Sequence, residues 1–182
     1  MLIGLTGKMG VGKSTAVKAL KELYGDKVKI VKFAQPIYDI QEYTYNRISS
    51  VYTRSESFIK DRALLQFIGT EWGRETISPS LWIDLWTTEV ANLLEQGNIV
   101  ICDDVRFDNE AEAILVQKGI IIQIRSENTE NRIDTRAGLI NHKSEQGISL
   151  DLISEVVYNN STETDFIQDM KKVFLRNNAE IK

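Results

Sequence analysis

A glycine-rich segment near the start of the chain has the residue types and the spacing of a phosphate-binding loop. Residues 7–14 match the pattern G-x-x-x-x-G-K-[ST] at every required position. Glycines allow backbone N–H groups to turn inward and surround phosphate oxygens, and the helix that follows adds the positive end of its dipole. We predict that a bound ATP contacts the whole stretch, which consists of Gly7, Lys8, Met9, Gly10, Val11, Gly12, Lys13, Ser14 and Thr15.

Two residues of this loop have individual predicted roles. Lys13 would contact the β- and γ-phosphates, and the Ser14 hydroxyl would bind Mg²⁺. A dinucleotide-binding fingerprint is excluded because Thr15 occupies the place of its third glycine.

Two acids follow the most apolar short segment of the chain. Ile99–Cys102 is continuously apolar, and Asp103 and Asp104 come directly after it. A carboxylate at the end of a buried strand is costly to desolvate unless a cation lies near it. We therefore predict that Asp103 joins Ser14 as a metal ligand, with the choice between Asp103 and Asp104 left open. The one cysteine, Cys102, is interpreted as a small core residue.

Arginines stand at the positions where a phosphoryl-transfer site needs them. Arg106 follows the acidic pair and Arg125 ends a predicted strand, while two polar stretches without strands hold Arg62, Arg74, Arg132 and Arg136. Phosphoryl transfer depends on positioning and on charge stabilisation, so converging guanidinium groups are expected in such a site. The Asn-Lys-x-Asp segment of a guanine-reading GTPase is absent, since residues 141–144 read Asn-His-Lys-Ser.

The elements that must position these residues alternate between strand and helix patterns. We predict helices over Ser14–Tyr24 and Arg62–Ile77, from Ser78-Pro79 to Gly97, from Asp108 to Gly119 and from Ser161 or Thr162 onward. The predicted strands are Met1–Thr6, Val28–Ala34, Asn98–Asp103, Ile120–Arg125 and Glu155–Tyr158. Buried strands separated by helices indicate an α/β protein of three layers, with a parallel sheet of about five strands flanked by helices.

Length and composition narrow the classes of function further. A chain of 182 residues with 42% hydrophobic and 26% charged residues is typical of one compact domain. The net charge of −4 argues against direct binding of nucleic acid or an anionic membrane. One cysteine, no long apolar run and no signal peptide indicate a cytoplasmic protein. We also expect Trp82 and Trp86 to form an exposed patch that would support a homodimer.

The motifs taken together resemble a known family of kinases. Asp104-Val105-Arg106-Phe107, followed by Asn109-Glu110, is similar to the signature of bacteriophage deoxynucleoside monophosphate kinases, within the nucleoside monophosphate kinase fold. The resemblance extends from Gly4 to Glu145, about four fifths of the chain. It also includes Arg62, Leu65-Gln66, Gly69-Thr70-Glu71, Arg74, Pro79, Trp82 and His142-x-Ser144-Glu145.

The resemblance implies an organisation of the whole chain as a single P-loop kinase domain, 1–182. Its core would comprise about residues 1–35, 97–126 and 148–182. Residues 36–96 would form the acceptor-binding insertion and residues 127–147 the lid. ATP would be the phosphoryl donor, with Mg²⁺, and the partners would be small nucleotides.

The same resemblance implies a role for each matched residue. Arg106 would bind the phosphate of the acceptor, and Asp104 would orient that nucleotide or the magnesium shell. The acceptor would also contact Arg62, Gln66, Arg74 and Trp82, although a tryptophan at helical spacing is also typical of a core. Arg132 and Arg136 would close over the γ-phosphate, and Arg125 would stack on or brace the ATP side. The lid would be positioned by His142, Ser144 and Glu145.

Two positions depart from the pattern of that family. Gln35 stands where an acid is usual after the second strand, so an acid is missing near the acceptor. Asp103 stands where a small polar residue is usual, so it is either an extra metal ligand or a changed contact to the sugar or base.

Three hypotheses follow for the activity. The first is transfer of the ATP γ-phosphate to a deoxynucleoside 5′-monophosphate, for DNA precursor synthesis, in the host cytoplasm if the protein is phage-encoded. The second is a dephospho-coenzyme A kinase or another P-loop small-molecule kinase, because Ile3–Gly7 resembles the start of that family. The third is a regulatory protein that binds ATP and a partner without phosphorylating a small molecule.

Overall fold

Five parallel strands form one sheet at the centre of the protein. The structure, a computed structural model, describes residues 1–49, 51, 61–127 and 147–180. The sheet has the strand order β2-β3-β1-β4-β5, and every neighbouring pair is parallel. Its strands are β1 (Leu2–Thr6), β2 (Val28–Ile30), β3 (Ile99–Cys102), β4 (Ile120–Arg125) and β5 (Glu155–Tyr158).

Helices connect the strands and cover both faces of the sheet. They are α1 (Lys13–Tyr24), α2 (Gln35–Ser49), α3 (Arg62–Gln66), α4 (Leu81–Glu95), α5 (Asp108–Val116) and α6 (Glu163–Glu180). A π-helix, Phe67–Ile77, continues α3 without a break. Two short 3₁₀ turns lie at Gly25–Lys27 and Leu150–Leu152. None of the described helices is long and apolar enough to span a membrane.

The two faces of the sheet bury separate apolar clusters. On one face, α1 and α6 pack on the sheet through residues such as Leu20, Phe166 and Phe174. On the other face, α4 and α5 pack through residues such as Trp86 and Ile114. The predicted three-layer α/β fold with a parallel sheet of five strands is therefore confirmed.

The carboxyl end of the central strand lies beside the carboxyl ends of its two neighbours. Gly4 of β1 pairs with Cys102 of β3, and Thr6 of β1 pairs with Gln123 of β4. In parallel sheets, loops at this edge are the usual place for a ligand. The phosphate loop, the acidic pair and Arg125 therefore share one edge of the sheet.

The second strand is shorter than the predicted Val28–Ala34, and the helix that follows it was not predicted. β2 ends at Ile30, and only Val28 of its three residues is buried, as expected for an edge strand. The Val31 N–H still donates to the Ile101 carbonyl at 3.0 Å, after which the chain turns into α2. Pro36 is the second residue of that helix, where a missing N–H costs nothing, so Gln35-Pro36 starts a helix as well as ending a strand.

The expected exposed tryptophan patch is wrong. Trp82 and Trp86 are each 2% exposed. The Trp86 ring stacks on Phe33 at 4.4 Å, and its indole N–H donates to the Val31 carbonyl at 3.1 Å. Helix α4, at the end of the 36–96 stretch, thus packs on the sheet, and these two residues supply no surface for a dimer.

Candidate active site

The phosphate loop is closed by its own lysine. Gly7, Gly10 and Gly12 have φ angles of 132°, 84° and 106°, in the region that favours glycine. The Lys13 ammonium donates to the carbonyl of Gly7 at 2.6 Å and to that of Lys8 at 3.0 Å. The side chain therefore extends back across the loop, toward the space that the inward-turned backbone surrounds.

The loop is braced from strands β4 and β5. The Asn159 side-chain amide donates to the Val11 carbonyl at 2.9 Å. A Cβ atom on Gly12 would lie 2.5 Å from Asn159 Nδ2, and one on Gly7 would collide with the Ile124 carbonyl. The first and last glycines are thus required by packing as well as by φ. Sequence reasoning missed Asn159, although a polar residue directly after the last strand was a signal for it.

The remaining residues of the loop differ in exposure. Lys8, Met9, Gly10 and Ser14 are exposed, whereas the Val11 side chain is buried. The predicted contact of Val11 with ATP is therefore restricted to its backbone. Ser14 and Thr15 belong to the first turn of α1, where free N–H groups and the helix dipole favour an anion.

The two adjacent acids after β3 have different surroundings. The Asp104 carboxylate accepts hydrogen bonds from the N–H groups of Phe33 and Ala34, at 3.1 and 3.0 Å. It also accepts from the Cys102 thiol at 3.1 Å. Both oxygens of Asp104 are therefore engaged in holding the turn between β2 and α2, a structural role that sequence analysis did not predict.

Asp103 is the acid whose surroundings fit a cation. Its Oδ1 atom is buried and accepts no hydrogen bond among the described residues, although Lys32 Nζ lies 3.3 Å away. A carboxylate and a serine hydroxyl are hard oxygen ligands of the kind that Mg²⁺ prefers. Of the two acids, Asp103 therefore fits a Mg²⁺ ligand better than Asp104, and Ser14 is exposed on the phosphate loop.

The Cys102 side chain is fully buried, which confirms its interpretation as a core residue. Burial raises the pKa of its thiol well above the ordinary value, and the neighbouring Asp104 carboxylate raises it further. A thiol kept protonated in this way is a poor nucleophile.

One buried carboxylate joins two of the arginines predicted to bind the acceptor. Glu110, in the first turn of α5, accepts from Arg74 Nη2 at 2.7 Å with one oxygen. Its other oxygen accepts from the backbone N–H groups of Arg106 and Phe107, at 2.9 and 3.2 Å. The Arg74 guanidinium also lies 4.3 Å from the centre of the Phe107 ring. Arg74 and Arg106 are therefore held at one corner of the molecule.

The pKa of Glu110 is set by competing effects. Its side chain is 3% exposed, and this burial raises the pKa of the carboxyl. The Arg106 N–H and the Arg74 guanidinium lower the pKa, the Asp104 carboxylate raises it, and the net shift is upward. The ion pair is thus strongly desolvated, and its geometry is correspondingly well defined.

Trp82 supports the π-helix that carries Arg74. Its indole N–H donates to the Gly69 carbonyl at 2.8 Å, and a Cβ atom on Gly73 would lie 2.7 Å from Trp82 Cε2. A π-helix is uncommon and is frequent at functional sites. Trp82 is 2% exposed and packs beneath this helix, which agrees with the core role that its helical spacing also allowed.

Two further predicted acceptor residues, Arg62 and Gln66, are exposed and lie four apart on α3. Asp61 starts this helix by accepting from the Leu64 N–H at 3.0 Å, and Tyr45 of α2 donates to the same carboxylate. Arg125 Nε donates to Gln123 Oε1 at 2.6 Å, at the carboxyl end of β4. The predicted residues that lie outside the described part of the chain are Arg132, Arg136, His142, Ser144 and Glu145.

Comparison with known proteins gives one curated relative. The deoxynucleoside-5′-monophosphate kinase of Escherichia phage T5 is 29% identical over 98 residues. The match covers 50% of this chain and 37% of the length of that relative. No protein-family profile matches the chain.

Solved structures share the fold over almost the whole chain. A dephospho-CoA kinase from Campylobacter jejuni superposes with a TM-score of 0.50 at 18% identity, covering 100% of this chain and 98% of its own. A putative kinase from Chloroflexus aurantiacus J-10-fl also has a TM-score of 0.50, at 15% identity and 96% coverage of both chains. The chain therefore has the P-loop three-layer fold, and its resemblance to the bacteriophage deoxynucleoside monophosphate kinases is confirmed.

Proposed function

We propose that this protein is a kinase that transfers the γ-phosphate of ATP to a deoxynucleoside 5′-monophosphate, giving ADP and a deoxynucleoside diphosphate. The observation that carries the proposal is that a phosphate-loop motif and a cluster of two arginines follow neighbouring strands, at the same edge of the sheet. Gly7–Ser14 follows β1, and the Arg74, Arg106 and Glu110 cluster follows the neighbouring strand β3. A regulatory protein that only binds ATP does not require a second arginine cluster of this kind, so the cluster favours a kinase.

The donor side of the reaction is assigned to the phosphate loop. Its inward-turned N–H groups and the start of α1 would bind the phosphates of ATP, and Lys13 would exchange its carbonyl partners for β- and γ-phosphate oxygens. Mg²⁺, held through Ser14 and Asp103, would neutralise the charge that develops on these oxygens. Arg125 at the end of β4 would brace the ATP side, and Arg132 and Arg136 are proposed to close over the γ-phosphate.

The acceptor side of the reaction is assigned to the cluster of Arg74, Arg106 and Glu110. Arg106 and Arg74 would bind the 5′-phosphate of the acceptor and hold it in line with the ATP γ-phosphate. Arg62 and Gln66 are proposed to contact the same nucleotide. The acceptor phosphate is already anionic at neutral pH, so the attack requires no general base. Asp104 would act indirectly, by fixing the turn that borders this cluster.

The proposal is tested with a panel of acceptors. The protein is incubated with ATP, Mg²⁺ and each deoxynucleoside monophosphate in turn, with dephospho-coenzyme A as the competing acceptor, and ADP and phosphorylated product are measured. We expect a diphosphate product with at least one deoxynucleoside monophosphate. Product from dephospho-coenzyme A alone, or ATP hydrolysis that no acceptor stimulates, would refute the proposal.

A matched pair of lysine variants controls the assay. Lys13→Ala removes both the charge and the positioning of the phosphates, and we expect turnover to fall by at least about 100-fold. Lys18→Ala, on the same helix, removes an exposed lysine that pairs with Glu163 at 3.2 Å. Its activity should match that of the unmodified protein.

A further inference from the structure

We propose that Glu110 is a positioning residue for the acceptor phosphate and that it acts by holding Arg74 and the backbone of Arg106 in one fixed arrangement. This inference rests on the proposed function. It assigns to a buried acid of α5 a part in substrate binding, although that acid would not contact the substrate.

The first argument is the number of contacts that converge on one carboxylate. Glu110 binds Arg74 with one oxygen and the N–H groups of Arg106 and Phe107 with the other. The partners come from two segments far apart in sequence, the π-helix and the loop between β3 and α5.

The second argument is the burial of the pair. The side chains of Glu110 and Arg74 are 3% and 18% exposed. A desolvated ion pair is costly to break, because the remaining partner is left as an uncompensated charge. The pair therefore resists the movement that an exposed arginine would undergo, and the Phe107 ring restricts Arg74 from another side.

The third argument concerns the effect of the ion pair on the affinity of Arg74 for the acceptor phosphate. A Glu110 carboxylate beside Arg74 competes with the acceptor for positive charge. Its benefit is preorganisation, since a guanidinium held in the bound geometry loses less conformational freedom when the phosphate arrives. Glu110 should thus affect acceptor binding while leaving ATP binding unchanged.

Steady-state kinetics of two charge variants test this inference. Glu110→Gln keeps an oxygen that can accept from Arg106 and Phe107 but removes the charge that pairs with Arg74. We expect the KM for the acceptor to rise about 10-fold, with the KM for ATP unchanged within about twofold. Glu112→Gln, an exposed acid of the same helix, is the matched control and should change neither KM.

A double-mutant cycle shows whether Glu110 acts through Arg74. We expect Arg74→Gln to raise the acceptor KM on its own, and Glu110→Gln to add little in that background. If the two effects are instead additive, or if Glu110→Gln alters both KM values alike, the inference is overturned. If Glu110→Gln does not fold, Glu110→Asp is used, since its carboxylate is one methylene too short to reach both sets of partners.

Failure of the inference is distinguishable from failure of the proposed function. If the unmodified protein phosphorylates no deoxynucleoside monophosphate, both are overturned together. If it does so and Glu110→Gln retains the unmodified acceptor KM, the proposed function stands and only the role of Glu110 is wrong. Thermal unfolding of each variant confirms that the kinetic measurements refer to folded protein.

Discussion

Asp103 and Asp104 are neighbours in the chain, yet the structure gives them different chemistry. Asp104 accepts hydrogen bonds from Phe33, Ala34 and Cys102, and these engage both of its oxygens. Asp103 leaves a buried oxygen without a hydrogen bond among the described residues, and its charge is paired with the Lys32 ammonium at 3.3 Å. The number of donors around a carboxylate decides whether it holds a loop or is available for a cation.

Neutral variants of the two acids should therefore separate stability from activity. In Asp104→Asn, one of the two carboxylate oxygens that accept from the Phe33 and Ala34 N–H groups is replaced by an amide nitrogen, which cannot accept. We expect the free energy of unfolding to fall by about 1–3 kcal/mol. Asp103→Asn should change that free energy little, while raising the Mg²⁺ concentration needed for half-maximal turnover. Urea unfolding and a Mg²⁺ titration of activity measure the two effects. If Asp103→Asn lowers stability and Asp104→Asn raises the Mg²⁺ requirement, the two assignments are wrong.

The raised pKa of Glu110 predicts how stability depends on pH. Burial is the main cause of the shift, while Arg74 and the Arg106 N–H oppose it and Asp104 adds to it. Above the ordinary value of 4.5, the folded state binds more protons at Glu110 than the unfolded state. The stability that this residue contributes is therefore largest at low pH and falls as pH rises through its folded pKa.

Comparison with Glu110→Gln isolates this single group. The difference in unfolding free energy, unmodified protein minus variant, should decrease as pH rises from about 4 to 7. Other carboxyls titrate equally in both proteins and cancel. A difference that increases over this range would show that Arg74, and not burial, dominates the carboxyl.

The π-helix is the element that brings Arg74 to Glu110, and its backbone is shaped by residues outside it. The Trp82 indole N–H donates to the Gly69 carbonyl, and the Ser78 N–H donates to the Gly73 carbonyl, five residues earlier, at 3.0 Å. Glycine at 73 lets the tryptophan ring lie directly against the backbone. The helix is thus widened where a large ring supports it.

Two glycine variants of this helix should differ sharply. A Cβ atom on residue 73 meets the rigid Trp82 ring and the Ile68 carbonyl, so Gly73→Ala should cost about 1–3 kcal/mol of stability and raise the acceptor KM. A Cβ atom on residue 69 meets only the tip of Ile37 at 3.1 Å, and that side chain can shift. Gly69→Ala should therefore be milder, and equal costs would contradict this account.

The helices and strands that could be predicted from the sequence are those whose buried residues form an apolar pattern. Strand β3 and helices α1 and α4 were placed within a few residues, because each buries a continuous run or a regular stripe. Helix α2 was missed because its buried residue is the polar Gln41, which gives no apolar pattern. The helix over 62–77 was expected, but its π geometry depends on Trp82, a contact that no local pattern reveals.

Among the site residues, consecutive motifs could be predicted from the sequence, whereas contacts between distant segments could not. The phosphate loop was predictable from spacing, since its chemistry requires fixed residue types in consecutive positions. The contact from Asn159 to Val11 and the contact from Glu110 to Arg74 join residues 148 and 36 positions apart. Such contacts are set by the assembled sheet, so motif reasoning could name Glu110 only as part of a signature.

At the scale of the whole molecule, the last strand and helix support a loop formed by the first residues. Asn159 follows β5 and binds the Val11 carbonyl, and Phe166 of α6 lies 3.2 Å from where a Cβ atom of Gly12 would be. Lys171 of α6 also pairs with Glu22 of α1 at 2.7 Å. The phosphate loop and the helix that follows it thus contact residues near the end of the described chain.

Removal of the Asn159 amide should act on the donor side alone. We expect Asn159→Ala to raise the KM for ATP about 5- to 10-fold, because one loop carbonyl loses its donor, with the acceptor KM unchanged. Asn98→Ala is a matched control, since its Nδ2 also donates to a backbone carbonyl, that of Leu93 at 3.1 Å, at the opposite end of β3. An equal effect of both variants would indicate a general loss of stability.

The carbonyl contacts of Lys13 have a consequence for which anions the loop accepts. The Lys13 ammonium donates to the Gly7 and Lys8 carbonyls, so an anion that binds this ammonium in their place must compensate for the hydrogen bonds it replaces. A singly charged ion recovers little from that exchange, whereas a polyphosphate replaces both carbonyls and adds contacts along the loop. We therefore expect the loop to favour a polyphosphate over a singly charged anion of similar size.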